Sequence, residues 1–309
     1  PQAAVEGAER EGTLYVAASH VGTRTDAPDL VAVVDVDPGS PTCGTVVHEV
    51  RMPAAGDGLH HLGWNAWAST PPGEGPERRY LVAPGRQSSR IHVVDAGDAR
   101  HPRLESSIRS EDLARYDLTA PHTVRAVPGG GVVVSMLADA DGDSPAGFLE
   151  IDEEGFLAGR YDEPGSIAHN GDFWYQPRTD VAVSTAWPAP GDVPDLSGTG
   201  EAYGREVLVW DWSDRMLVRS IDLGESGRLP CAVRFLHNPD STDAYVAAAL
   251  SSTVFHLHLD DGIWYADPVV EFETRDHSDH DGPVPAFPVD LLVSMDDRYL
   301  FCANWLAGE

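Results

Sequence analysis

Pro121–Leu137 reads PHTVRAVPGGGVVVSML. A short β-branched run leads into Pro-Gly-Gly-Gly, and a second β-branched run follows, with no helical period across the whole. Valine-rich flanks suit half-buried strands, and a Pro/Gly break suits a tight reversal. The stretch predicts an antiparallel hairpin. Arg234–Val254, RFLHNPDSTDAYVAAALSSTV, has the same order of strand, turn, strand and polar break.

Similar runs recur along the chain: Thr13–Ala18, Leu30–Val36, Tyr80–Ala83, Arg90–Asp95, Gly131–Met136, Phe148–Ile151, Val181–Thr185, Val207–Trp212, Ala244–Ala249 and Leu291–Val293. Several obey one local rule, in which a strand ends in Asp, a polar turn follows and another strand starts: VVDVDPGSP, VVDAGDARHP, EIDEEGFL, VWDWSDRML. Units repeating at roughly 40–50 residues fit the four-stranded meanders of a β-propeller. Helical periodicity is scarce; Ser110–Tyr116 predicts one short helix with Ser110 as its N-cap. Residues 1–309 read as one domain, with Pro188–Glu201 and Glu273–Pro288 as long loops.

Composition narrows the function. The chain has 309 residues, with 50 Asp and Glu against 21 basic residues, a net charge of −29. All 21 basic residues are arginine. Such a field repels nucleic acid and anionic membranes; its spread through the loops suits high salt, where the screening length shortens, and an acidic partner-docking surface is the alternative. No apolar run approaches the roughly 20 residues that span a bilayer. The three cysteines, Cys43, Cys231 and Cys302, are widely spaced with no CxxC. This predicts small buried thiols rather than a disulfide framework and suits a reducing compartment, with a cytoplasmic location expected and a periplasmic or exported form left open.

Four histidines stand out. His60 and His61 lie in GLHHLGWNAW, Gly58–Trp67. On a regular strand adjacent imidazoles point apart; a bend permitted by Gly58 and Gly63 would turn both to one point. His122 lies at a strand entrance after Pro121, and His237 at a strand end before Asn238-Pro239. Converging imidazoles suit copper, zinc, iron or nickel; a buried or surface histidine with an ordinary partner is the plainer reading. His256 and His258 share a strand face, and His277 and His280 sit in an acidic loop; both pairs read as ordinary surface residues. Asp172–Arg178, DFWYQPR, reads as blade packing or a channel wall. Nucleophile-elbow, zincin and Walker motifs are missing, as is a dinucleotide fingerprint in its strand-turn-helix context.

In order along nearly the whole chain, Ala27-Pro28-Asp29, Val34–Pro38, His60–Asn65, Ser88–Ile91, Pro121-His122-Thr123, Asp172–Arg178, Val209–Trp212, Arg234–Pro239, Ala249–Thr253, Ser294–Leu300 and Asn304-Trp305 resemble the selenium-binding protein family, which includes the methanethiol oxidases. The resemblance implies an all-β fold, a β-propeller of the WD40/YVTN-like kind, seven-bladed when complete. It implies a copper-dependent oxidase that takes methanethiol, O2 and water to formaldehyde, hydrogen sulfide and hydrogen peroxide. It implies copper ligands at His60, His61 and His122, with His237 as an additional candidate.

Three departures accompany it. The family's selenium-linked cysteine falls at Gly44, with Cys43 one residue earlier; in a strand that offset reverses the face and argues against selenium on Cys43. Ala186 stands before Trp187 where relatives carry Glu. Relatives continue beyond Asn304-Trp305, so the chain is expected to be a fragment, an incomplete set of blades prone to aggregate. The alternative function is a non-enzymatic selenium- or metal-binding scaffold; a third is a lactonase-like hydrolase, which would need oxygen ligands for calcium.

Overall fold

Each Asp-turn of the sequence closes a hairpin in the computed structural model, which describes residues 11–66, 76–128, 130–189, 204–276 and 282–308. Chain contacts divide it into two compact units, the first formed by Gly7–Asp143 with Gly147–Tyr161, the second chiefly by Asp162–Glu309.

The first unit holds three antiparallel sheets. One is β1 (Thr13–Ala18), β2 (Pro28–Asp35) and β3 (Val46–Ala55). The next is β4 (Gly63–Trp64), β5 (Tyr80–Gly85), β6 (Arg90–Asp95) and β7 (Arg103–Ile108). After the short helix α1 (Ser110–Ala114) come β8 (Thr119–Ala126), β9 (Val132–Ala138), β10 (Gly147–Ile151) and β11 (Leu157–Arg160). The second unit holds β12 (Phe173–Gln176), β13 (Val181–Thr185), β14 (Glu206–Asp211) and β15 (Met216–Asp222), then β16 (Pro230–Phe235), β17 (Ala244–Ala248), β18 (Thr253–Asp260) and β19 (Ile263–Glu271). Two hairpins follow, β20 (Arg275–Asp276) with β21 (Pro283–Val284), and β22 (Pro288–Val293) with β23 (Leu300–Asn304). Consecutive strands pair throughout each sheet. This meander of four is the blade of a β-propeller, and the fold class is the expected one.

The strand-ending aspartates hold these turns. The Asp35 carboxylate accepts from the Asp37 amide at 3.0 Å and from the Ser40 and Thr42 hydroxyls at 2.5 Å each. Asp95 accepts from the Gly97 amide at 2.9 Å and from Arg79 Nε at 2.8 Å. A side chain that takes its own turn's N–H groups stabilises the reversal locally. The α1 helix departs from expectation. Its N-cap is Arg109, with no side-chain cap, and Ser110 is already helical.

Apolar faces of neighbouring sheets make the cores. Val31, Val50, Met52, Leu81 and Val94 pack between the first two sheets, and Val82, Ile91, Val124, Val134 and Leu149 between the next two. In the second unit Val183, Val209, Val233, Val246 and Phe255 form the equivalent layer. DFWYQPR is packing: Phe173 and Tyr175 stack on Trp212, with ring centroids 5.7 and 5.4 Å away. Its first residue, Asp172, is fully buried and ion-paired with Arg234 of the RFLHNP stretch, so the two rarest strings meet at one buried charge pair. Arg178 ends the run exposed, with no ion pair among the described residues.

Candidate metal centre

Two backbone irregularities bring three histidines together in the first unit. Gly58 has φ of +63°, and His61 itself adopts φ of +42°, both outside the regular β conformation. Leu59 N–H donates to buried Asp29 Oδ2 at 3.0 Å, and His60 N–H to Pro84 O at 3.1 Å. The bend between these anchors stacks the imidazoles of His60 and His61, with centroids 4.1 Å apart. Gly63 has a different part from the one expected. Its φ is not positive; instead a Cβ there would lie 2.5 Å from Val124 Cβ and 2.7 Å from Val124 O. Glycine at 63 lets β4 close on β8, the strand that carries His122.

On β8 the register slips between Pro121 and Val124, which pair with Met136 and Val134 respectively. The extra residue makes a β-bulge at His122-Thr123, a device that re-aims a side chain. The Thr123 amide, removed from the ladder, donates to Ser135 Oγ at 3.0 Å. His122 turns inward to ring-centroid distances of 4.7 Å from His60 and 4.5 Å from His61. Its Nδ1 lies 3.0 Å from Thr123 Oγ1, which fixes the ring's rotation.

One nitrogen from each of these rings lies within 4.8 Å of the others, the sole such grouping among the described residues. Burial holds the His122 imidazole well below its ordinary pKa, and the neighbouring His61, His60, Arg86 and Arg125 add to the effect. A neutral imidazole keeps the lone pair that coordination needs. The donor set is nitrogen alone. It fits copper, zinc, iron or nickel, and gives no oxygen cage for calcium.

The remaining candidates fall elsewhere. His237 is in the second unit, half-buried, with Nε2 3.2 Å from the Val293 carbonyl. His256 and His258 each place Nε2 against a carboxylate, Asp243 at 2.9 Å and Asp267 at 2.8 Å. Trp67, His277 and His280 lie outside the described residues. Cys43 is exposed in the turn between β2 and β3, and Gly44 there has φ of +81°. The strand-face argument against Cys43 therefore does not apply; the relevant difference is that Gly44 occupies a conformation in which a cysteine would be strained. Cys231 is buried, with Sγ 3.1 Å from Pro288 O. Ala186 is buried in the second unit, its N–H donating to Glu206 O at 3.1 Å.

Sequence reasoning missed the bulge at His122-Thr123 and the anchoring carboxylates. Asp57 is fully buried and gathers Ser88 Oγ at 2.6 Å and Arg90 Nε at 2.8 Å, with His92 Nε2 at 3.2 Å. Asp29 takes the His20 amide at 2.7 Å as well as that of Leu59. Both sit at the start of the GLHH bend, Asp57 immediately before Gly58 and Asp29 on the Leu59 amide. The available signal was an aspartate immediately before Gly58 with Ser88, Arg90 and His92 grouped on the next hairpin.

The methanethiol oxidase of Danio rerio is 37% identical to this chain over 310 residues, covering 97% of this chain and 68% of that protein. Selenium-binding protein 3 of Arabidopsis thaliana is 39% identical, covering 97% and 65%. The chain thus spans about two thirds of the length of these relatives. The structure of a hypothetical selenium-binding protein from Sulfolobus tokodaii superposes with a TM-score of 0.89 at 30% identity, covering 97% of this chain and 70% of that one. The model of the 56kDa selenium binding protein family matches residues 1–309. With that match over its whole length, the chain belongs to the selenium-binding protein family.

Proposed function

We propose that the chain is the site-bearing part of a copper-dependent methanethiol oxidase, converting methanethiol, O2 and water to formaldehyde, hydrogen sulfide and hydrogen peroxide. The observation that carries this reading is the convergence of His60, His61 and His122 within 4.8 Å. The names of relatives that are 36–38% identical support the thiol as substrate.

His60, His61 and His122 would hold the metal. Copper, when bound, supplies a soft centre for sulfur and a path for electrons to O2. The chain's own residues do the rest. Burial keeps His122 neutral and ready to bind. The bend anchored by Asp29 presents His60 and His61 together, and the bulge at His122 completes the ring of donors. Holding the donors in place before the ion arrives lowers the reorganisation needed to bind it. All three cysteines are unbridged, which supports a reducing, cytoplasmic setting.

The test is methanethiol-dependent O2 uptake and peroxide release, recorded with copper content, in wild type and in H60A/H61A. Copper with turnover, both lost in the double variant, is the expected result. Copper without turnover would favour the second reading, a metal-binding protein that lacks the oxidase step; Ala186, in place of the relatives' Glu, is the feature that favours it. No copper in wild type would exclude the copper oxidase and leave only a scaffold that binds selenium or another metal.

A further inference from the structure

Arginines in this acidic chain usually have partners. Arg79 pairs with Asp95 at 2.8 Å, Arg90 with Asp57 at 2.8 Å, and Arg234 with Asp172. Arg86 differs: it is half-buried, yet its guanidinium has no hydrogen bond or ion pair among the described residues. Burial alone acts on it and pushes its pKa down. Arg24, Arg178, Arg219 and Arg298 also have no ion pair among the described residues, but these are exposed, where water serves them.

The backbone puts Arg86 beside the imidazoles. His60 N–H donates to Pro84 O at 3.1 Å and Arg86 N–H to Gly58 O at 3.2 Å, on either side of the antiparallel bridge between Leu59 and Gly85. Residues opposite one another on such a ladder share a face. His60 with Pro84, and Arg86 with Gly58, therefore lie on one side. Leu59 lies on the other, in the core with Val31 and Leu81. Diagonal neighbours on one face are about 7–8 Å apart, within an arginine's reach. Gly58, directly opposite, has no side chain to cover the guanidinium. Arg86 is also among the charges that act on His122.

We propose that Arg86 is the anion anchor of the His60–His61–His122 site, which takes its ligand as a small anion bearing sulfur or selenium, its charge on the guanidinium and its chalcogen toward the imidazoles. The inference rests on the trio being the ligand site proposed above. A guanidinium stays charged, so beside a metal cation it repels unless an anion lies between them. A thiolate and a selenium oxyanion share the required chemistry. A neutral thiol gives the guanidinium nothing to hold.

The test is calorimetric titration of the metal-free 309-residue chain with thiocyanate, and separately with selenite, at constant ionic strength. The variants are R86Q, R86K and R178Q, each checked for its β-sheet circular dichroism. The expected result is one site in wild type, affinity lowered at least tenfold in R86Q, kept within about threefold in R86K, and unchanged in R178Q. Tighter binding of selenite assigns the anchor to a selenium oxyanion; tighter binding of thiocyanate assigns it to a sulfur anion. Equal affinity in R86Q and wild type, or no binding by wild type, overturns the anchor. Copper uptake is followed on the same samples. Its absence from wild type overturns the metal reading, whereas intact uptake with unchanged anion affinity in R86Q overturns the anchor alone.

Discussion

His256 and His258 sit on a regular strand, β18, and their rings stack 5.0 Å apart. His60 and His61 sit on an irregular bend, and their rings stack at 4.1 Å. The side chains are the same and the ring spacings similar, but the chemistry differs. On β18 the period of two puts both histidines on one face, in a ladder with Tyr245 and Tyr265. Each Nε2 there is spent on an aspartate, Asp243 or Asp267. At the bend, a positive φ at His61 defeats the alternation of faces, and a bulge on another strand adds His122. A regular strand can align histidines along a line. Gathering three around a point takes departures from regularity, and those departures need anchors.

The comparison can be broken most severely at the donors. H122A should lower metal affinity on the order of a thousandfold, about 4 kcal/mol, by removing one of three ligands. H258A should leave it within about twofold. Competition against a chromophoric chelator measures both.

Next in size are the anchors. D57N removes a buried partner of Arg90, His92 and Ser88 and should destabilise the chain by about 3 kcal/mol in urea unfolding. Burial by itself would raise the Asp57 carboxyl, but the His92, Ser88 and Arg90 donors outweigh it and hold it below its ordinary range. Its stabilisation is therefore complete above about pH 4 and lost as pH falls through the lowered folded value. The variant should show a flatter acid limb than wild type. G63A should cost about 2 kcal/mol, because the new methyl meets the Val124 backbone and side chain. It should weaken metal binding too, since the closeness of β4 and β8 sets the distance from His61 to His122. The smallest effect belongs to the ladder. D267N loses a contact with His258 that is two-thirds exposed on the aspartate side and should change stability by less than about 1 kcal/mol.

The strands were legible because their signals are local. Thr13–Ala18, Arg90–Asp95 and Val181–Thr185 run with the limits read from the sequence. The Asp-turns were legible for the same reason, since the carboxylate and the amide and hydroxyl groups it binds are two to seven residues apart. The histidine trio was only partly legible. A HH pair beside Gly58 signalled a bend, and the family resemblance supplied His122. The bulge that aims His122 depends on pairing with β9, which no local pattern announces. Gly63 was read as a hinge because glycine permits unusual φ. Its true constraint is the approach of Val124, a partner 61 positions away in the chain. Arg86 carried no motif; only the absence of a side-chain partner among the described residues singles it out.

X-ray absorption at the metal edge of the copper-loaded chain tests the central claim most directly. The account predicts a shell with the multiple-scattering signature of three imidazoles, reduced to two in H61A and unchanged in H256A/H258A. A shell of oxygen or thiolate ligands, or imidazole scattering that survives unaltered in H61A, would contradict it.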